Sequence, residues 1–153
     1  RSVRGSAMLH ATQRIRVEWG HCDPARIIFN PNYYIWMDQG THGLLEAAGF
    51  PFAKLTATPE FRGCPLVASG MDFRSPAFYS DVLLLTTFVE KFGTKSFTVR
   101  HHFTRDGDLL AEGHEVRVWA VNVPDDPRGM KAIPVPEEVR AMLERAGSVD
   151  VTA

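Results

Sequence analysis

Asp23 is the first residue whose type and setting suggest chemistry. It lies in EWGHCDPARIIFNPNYYIWMDQG, residues 18–40, as a lone carboxylate in a polar turn. An apolar run follows, then Asn30-Pro31-Asn32 and an aromatic segment. Such a carboxylate can act as a nucleophile or as a general base. Asp before Pro is also a common turn signal, so a purely structural role fits the same residues. Asn30-Pro31 is a good helix opening, with Asn at the cap and Pro at the first helical position. The residue before a proline avoids the α region, which also suits a cap. A helix start offers unpaired N–H groups and the positive end of the helix dipole, both suited to developing negative charge.

Other candidates are weighed in the same way. Asp38 and His42 stand at i and i+4 on one helix face, the spacing of two metal ligands, but no third or fourth ligand follows at a sensible distance. A surface polar pair, or a pair facing a partner subunit, fits equally. His101 shares a strand face with Phe97, Val99 and Phe103 and reads as a core histidine. Cys22 and Cys64 make neither a disulfide framework nor a zinc knuckle, and no motif sets a His–Asp pair beside Cys22. A reducing compartment, and so the cytoplasm, is the simpler expectation. Tyr33, Tyr34 and Trp36 form an aromatic cluster suited to core packing or to a pocket wall.

These residues need elements to position them. Gln13 to Trp19 alternates as a strand. From Asn30 the apolar spacing predicts a helix through Tyr34, Met37, Thr41, Leu44 and Ala48, stopped by Gly49. Gly40 and Gly43 lie inside it and are expected on its exposed side, where another backbone approaches. Leu66–Ser75, Val82–Lys91, Ser96–Arg105 and Leu109–Val121 read as strands joined by tight turns, hence an antiparallel meander. Glu137–Ala146 is a short amphipathic helix. The order predicts an α+β fold: a five-stranded antiparallel sheet wrapped around one long helix, with a short C-terminal helix.

The chain has 153 residues, enough for one domain with a real core. Residues 8–153 are expected to form that domain, and residues 1–7 are read as an added or disordered tail, with Met8 a candidate native start. The net charge of −1 gives no sign of a nucleic-acid binder. No apolar run is long enough to span a bilayer and the start shows no signal-peptide pattern, so no membrane partner is expected.

The stretch DPARIIFNPNYYIWMD resembles the D-P-A-G-I-V-x-x-P-N-Y signature of the 4-hydroxybenzoyl-CoA-type thioesterases, a hotdog-fold family. CPLV at 64–67, KSF at 95–97, RH at 100–101 and AIPVP at 132–136 follow in the family's order, so the resemblance covers nearly the whole chain from Gln13. It implies a hotdog fold and hydrolysis of acyl-CoA thioesters without metal or cofactor, coenzyme A being part of the substrate. It aligns the catalytic acid with Asp23, and the backbone N–H that holds the thioester carbonyl with Asn30. A second acid, which meets a ring hydroxyl in the 4-hydroxybenzoyl enzyme, aligns with Asp38. Cys64 aligns with a Thr beside the substrate, and a buried structural cysteine fits the same residue at least as well. Tyr33, from the aromatic cluster, is the candidate pocket wall. Lys95 and Lys131 align with residues that hold the CoA phosphates. The family Gly after Pro-Ala is Arg26 here, a strained residue if that position needs a positive φ and otherwise a new phosphate contact. The basic pair expected before Lys95 is Gly93-Thr94. A homo-oligomer is implied, a dimer at minimum with a tetramer expected, and with sites at the subunit interface.

The expectation is therefore an acyl-CoA thioesterase for an aromatic, 4-hydroxybenzoyl-like, or medium-sized acyl group. Its rivals are an aliphatic acyl-CoA or acyl-carrier-protein thioesterase and a non-catalytic hotdog module that binds an acyl ligand. A hotdog dehydratase, which usually needs Asp and His across the interface, ranks last.

Overall fold

The computed structural model describes residues 8–152; the expected tail at 1–7 lies outside the described residues. Strand β1 (Leu9–Arg16) leads through a single 3-10 turn (Trp19–His21) to the long helix α1 (Pro31–Ala47). A short helix α2 (Phe52–Thr56) follows, then β2 (Phe61–Gly63) and β3 (Leu66–Phe73). β4 (Val82–Phe92), β5 (Ser96–Arg105), β6 (Asp108–Val123) and β7 (Asp126–Ile133) come next, and α3 (Glu137–Leu143) and β8 (Gly147–Asp150) end the chain. The α+β hotdog layout is present, with α1 lying across a curled sheet.

Among the described residues the sheet has eight strands, running β2-β6-β5-β4-β1-β8, with β3 and β7 also paired to β6. The five strands expected from the sequence run β1-β4-β5-β6-β3, so β4, β5 and β6 form the expected meander while β3 pairs with β6 and not with β4. β2, β7 and β8 are additions, too short or too polar to announce themselves by alternation. Pairing is antiparallel except for β1 and β8, which run parallel. β1 begins and ends earlier than its pattern suggested, because residues 19–21 coil into the 3-10 turn.

Helix α1 buries Tyr33, Trp36, Met37, Gly40, Thr41, Leu44 and Leu45, the i, i+3, i+4 spacing of one helical face. Gly40 is on this buried side, not the exposed one. A Cβ there would stand 2.7 Å from Thr87 Oγ1 and 3.1 Å from His101 Nδ1. Across from it, a Cβ at Gly113 would overlap Met37 Sδ. The two glycines bring helix and sheet together; the close neighbours of Gly40 are side chains of the same chain, and Gly113 also lies against the backbone carbonyl of Gly70.

The apolar core is divided in two. Ile15, Val17, Ile28, Trp36, Leu83, Leu85 and Phe103 pack under the start of α1. Leu9, Leu44, Leu45, Phe97, Val99, Trp119 and Leu143 pack under its end. Between them lie buried Thr41, Thr87, His101, Glu115 and Arg117.

Candidate active site

The Asp23 loop is a three-residue hairpin connection. Cys22 and Ile28 form an antiparallel bridge, and the Asp23 N–H donates to Ile27 O at 3.0 Å. The Arg26 N–H donates to Asp23 O at 2.8 Å, and Arg26 adopts φ +69°. A turn followed by a left-handed residue is the usual geometry for this loop length, and that last position favours glycine. Arg26 is exposed there and carries the backbone strain that a glycine would not.

Asp23 has both the structural and the open character weighed from the sequence. Its Oδ1 accepts the Ala25 N–H at 2.8 Å, an Asx turn that fixes the side chain. Among the described residues its Oδ2 has no hydrogen-bond partner, and the residue is only partly buried. One oxygen shapes the loop and the other is available.

The start of α1 is tied to this loop through one carbonyl. His21 O accepts the Phe29 N–H at 2.9 Å and the Asn32 Nδ2–H at 2.8 Å. Asn30 occupies the cap position but makes no side-chain cap bond, and its φ −59° and ψ −29° are helical. The expected extended conformation before Pro31 is therefore absent. The bonds from Asn32 Nδ2 to His21 and from the Tyr33 N–H to Asn30 O organise the first turn instead. With helical angles, the Asn30 N–H points out of the helix end, and no acceptor among the described residues meets it.

Asp23, Asn30 and Tyr33 line one cavity of about 310 Å³, closed by Ile27, Ile28 and the segment from Phe73 to Ala77. That volume lies in the range of small-molecule sites. Tyr33 is both core and wall: buried, and edge-on to Trp36, Phe73 and Phe103. Burial pushes its hydroxyl up to about 12, with Arg105 opposing and Asp81 adding, so it stays protonated near neutrality.

The remaining candidates lie elsewhere. Asp38 stands on α1, half exposed, with Arg117 Nη2 at 2.8 Å and His42 Nδ1 at 3.9 Å. Cys64 is buried and outside the cavity wall, and burial pushes its thiol up to about 12, against the influence of Arg117. Lys95 is exposed in the β4–β5 turn, and Lys131 is exposed on β7. Neither Lys95, Lys131 nor Arg26 lines the cavity. No group of three or more His, Cys, Asp or Glu among the described residues is arranged to hold a metal.

Sequence inspection missed the buried ionic network. Arg117 Nη2 donates to Glu115 Oε2 at 2.7 Å, and His101 Nε2 lies 3.1 Å from Glu115 Oε1. Thr41 Oγ1 also donates to Glu115, and Thr87 Oγ1 meets His101 Nδ1 at 2.9 Å. His101 is a satisfied core histidine, as expected. Burial is the largest influence on it and holds its pKa below the usual value although Glu115 opposes. Neutral His101 then donates from Nε2 to Glu115 and accepts at Nδ1 from Thr87. Burial alone would raise the Glu115 carboxyl, but hydrogen bonds from His101, Arg117 and Thr41 outweigh it and hold it at about 2. In the folded β6, Glu115 and Arg117 alternate in phase with buried Ala111, Gly113 and Trp119, a choice of face that the two-residue period of the strand leaves open.

The model of the thioesterase-like superfamily matches residues 17–143, most of the chain. The chain belongs to that superfamily. A curated relative, the 4-hydroxybenzoyl-CoA thioesterase of Pseudomonas sp. (strain CBS-3), is 34% identical over 133 residues, covering 83% of this chain and 92% of the relative. The structure of a 4-hydroxybenzoyl-CoA thioesterase mutant complexed with 4-hydroxybenzoyl-CoA superposes with a TM-score of 0.80 at 30% identity, covering 88% of this chain and 98% of that one. A gentisyl-coenzyme A thioesterase structure gives 0.75 at 35% identity, with 86% and 98% covered. The family match runs from the end of β1, just before the turn that leads to Asp23, to the end of α3. Among the described residues no helix is long and apolar enough to cross a membrane.

Proposed function

We propose that the protein hydrolyses an aromatic acyl-CoA to the free acid and coenzyme A, with Asp23 as the reacting carboxylate. The observation that carries this is the shared cavity, where the open oxygen of Asp23 and the free N–H of Asn30 face one space at a helix N-terminus. A thioester carbonyl becomes an oxyanion on attack, and the Asn30 N–H and the helix dipole suit that charge. Asp23 either adds to the carbonyl, expelling the thiolate to leave a mixed anhydride that water opens, or takes a proton from water as that water adds. The thiolate leaves readily, so no strong general acid is required. Similarity to 4-hydroxybenzoyl- and gentisyl-CoA thioesterases favours a hydroxylated aromatic acyl group.

A homo-oligomer completes the site in this proposal. Among the described residues β3 pairs with β6 alone, and it exposes Leu66, Val67 and Phe73, the last of which also lines the cavity. An open, apolar edge strand is a natural surface for a second copy, and tetramers follow from pairing such dimers. Asp38, outside the cavity wall of its own chain, joins the site once that copy is in place, and accepts a hydrogen bond from the acyl hydroxyl. The CoA phosphates extend to the surface, where Lys95, Lys131 and Arg26 are free to meet them. Unpaired Cys22 and Cys64 support a reducing, cytoplasmic setting. No cofactor is invoked.

The test is thiol release from benzoyl-, 4-hydroxybenzoyl-, phenylacetyl- and straight-chain acyl-CoAs, in wild type and in Asp23→Asn. Turnover of aromatic esters that collapses in the variant is the expected result. Turnover that survives moves the chemistry away from Asp23, and binding without release from any ester identifies a non-catalytic module.

A further inference from the structure

Arg117 is an unusual residue to find under a helix. It is 5% exposed, and its guanidinium is held on several sides. Nη1 donates to Cys64 O at 2.8 Å, Nη2 to Glu115 Oε2 at 2.7 Å and to Asp38 Oδ1 at 2.8 Å, and Nε to Glu115 Oε1 at 3.2 Å. Glu115 is fixed in turn by Thr41 and His101, so Arg117 cannot swing to another position without leaving buried polar groups unpaired. The effect on Asp38 is specific. One carboxylate oxygen is anchored, while Oδ2 stays 3.9 Å from His42 and the side chain remains half exposed.

The charges around Asp38 do not cancel. An arginine alone beside Asp38 would cancel its charge. Here Glu115 shares the same guanidinium, so Asp38, Arg117 and Glu115 together carry one net negative charge beside neutral His101. An anchored carboxylate with surplus negative charge is a good acceptor for a neutral O–H donor and a poor neighbour for an anionic substituent.

We propose that Arg117, backed by Glu115, is a positioning residue that fixes Asp38 as the acceptor for an acyl-group hydroxyl and thereby sets the preference for hydroxylated over unsubstituted aromatic acyl-CoAs. This rests on the role given to Asp38 above. The network is more than a structural tie in this proposal, because its removal changes the choice of substrate and not only the amount of folded enzyme.

The experiment compares kcat/KM for 4-hydroxybenzoyl-CoA and benzoyl-CoA in wild type, Asp38→Asn, Arg117→Lys, Glu115→Gln and the Asp38→Asn/Arg117→Lys double variant. Asp38→Asn lowers the ratio roughly 10- to 100-fold, the worth of one hydrogen bond to a charged group. Arg117→Lys keeps the charge but loses the fork, and lowers the ratio by a comparable factor while benzoyl-CoA is still turned over. The double variant falls no further than Asp38→Asn alone, within about twofold. Glu115→Gln, nearly isosteric, lowers the ratio less and supplies the same readout should Arg117→Lys fail to fold. Equal losses on both esters in Arg117→Lys and Glu115→Gln overturn the proposal in favour of a purely structural network. A ratio that falls in Asp38→Asn but in neither network variant overturns the positioning role and leaves that of Asp38 intact. A ratio unchanged in Asp38→Asn overturns both.

Discussion

Two polar regions lie along one helix and are built in opposite ways. At the start of α1, the Asp23 loop is shaped by backbone hydrogen bonds and one Asx turn, and Asp23 Oδ2 and the Asn30 N–H are left without partners among the described residues. Midway along α1, Glu115, His101 and Arg117 are buried, and each is held by several partners. The first region has unused hydrogen-bonding capacity facing a cavity, as a site for a transient charge requires. The second has little left to offer except the outer oxygen of Asp38. Groups meant to meet a substrate are kept from pairing with the protein, whereas groups meant to hold geometry are paired as fully as the fold allows.

The two regions should respond oppositely to substitution, one in activity and the other in stability. Asp23→Asn should cut kcat/KM roughly 100- to 10,000-fold, the usual worth of a general base. Its urea midpoint should stay near wild type, because the Asn side-chain oxygen can still accept the Ala25 N–H. A large loss of stability would show that the loop, and not the chemistry, depends on the charge.

Arg117→Met should do the reverse in kind. It leaves Glu115 buried without its main counter-charge and should cost about 3–5 kcal/mol by urea denaturation. Replacing Glu115 as well, with Leu, should recover much of the loss, since an apolar pair tolerates burial. A single-variant cost below about 1 kcal/mol would place the network among surface ion pairs.

Acid should weaken the network next. The folded Glu115 pKa of about 2 lies below the ordinary value of 4.5. A depressed carboxylate pKa stabilises fully above the unfolded value, so this contribution is lost as pH falls from about 4.5 towards 2. His101 is also shifted down from 6.5, so the unfolded chain takes up a proton that the buried ring resists, and stability begins to fall below that pH. Urea midpoints measured from pH 7 to pH 3 should decline in two stages, and Glu115→Gln should shrink the lower one, to which Glu112, held down by Arg74, also contributes.

The smallest effect is expected at the loop. Arg26→Gly relieves the left-handed strain at φ +69°, worth about 1 kcal/mol, partly offset by the greater freedom of glycine in the unfolded chain. A small rise in thermal midpoint would confirm that the turn tolerates Arg26 rather than requires it. A fall would give its side chain a structural role.

Much of this arrangement was legible in the residues themselves. The Asp-Pro turn, the Pro31 helix start and the helical spacing of Met37, Thr41, Leu44 and Ala48 are local signals, and the structure keeps them, although Tyr34 is exposed and Tyr33 takes the buried place at the helix start. Alternation marked the central strands because one face of each meets the core. It did not mark β2, β7 or β8, which are short or exposed and pair only because β6 and β1 have edges left to fill.

Register decided the rest. In EVRVW, residues 115–119, the valines look like the buried set and the charges like the solvent face. The opposite holds: Glu115 and Arg117 point inward, while Val116 and Val118 are only partly buried. A single strand cannot announce that choice, because a two-residue period fits either face and the partners that make burial tolerable come from elsewhere. Thr41 and Asp38 are on α1, His101 is on β5, and the Cys64 carbonyl precedes β3. Sequence alone determined the turn, the helix and the open acid, through short-range sterics and hydrogen bonding. Only tertiary structure decided that two buried charges would be affordable beneath that helix, because their stability depends on contacts between segments far apart in the chain.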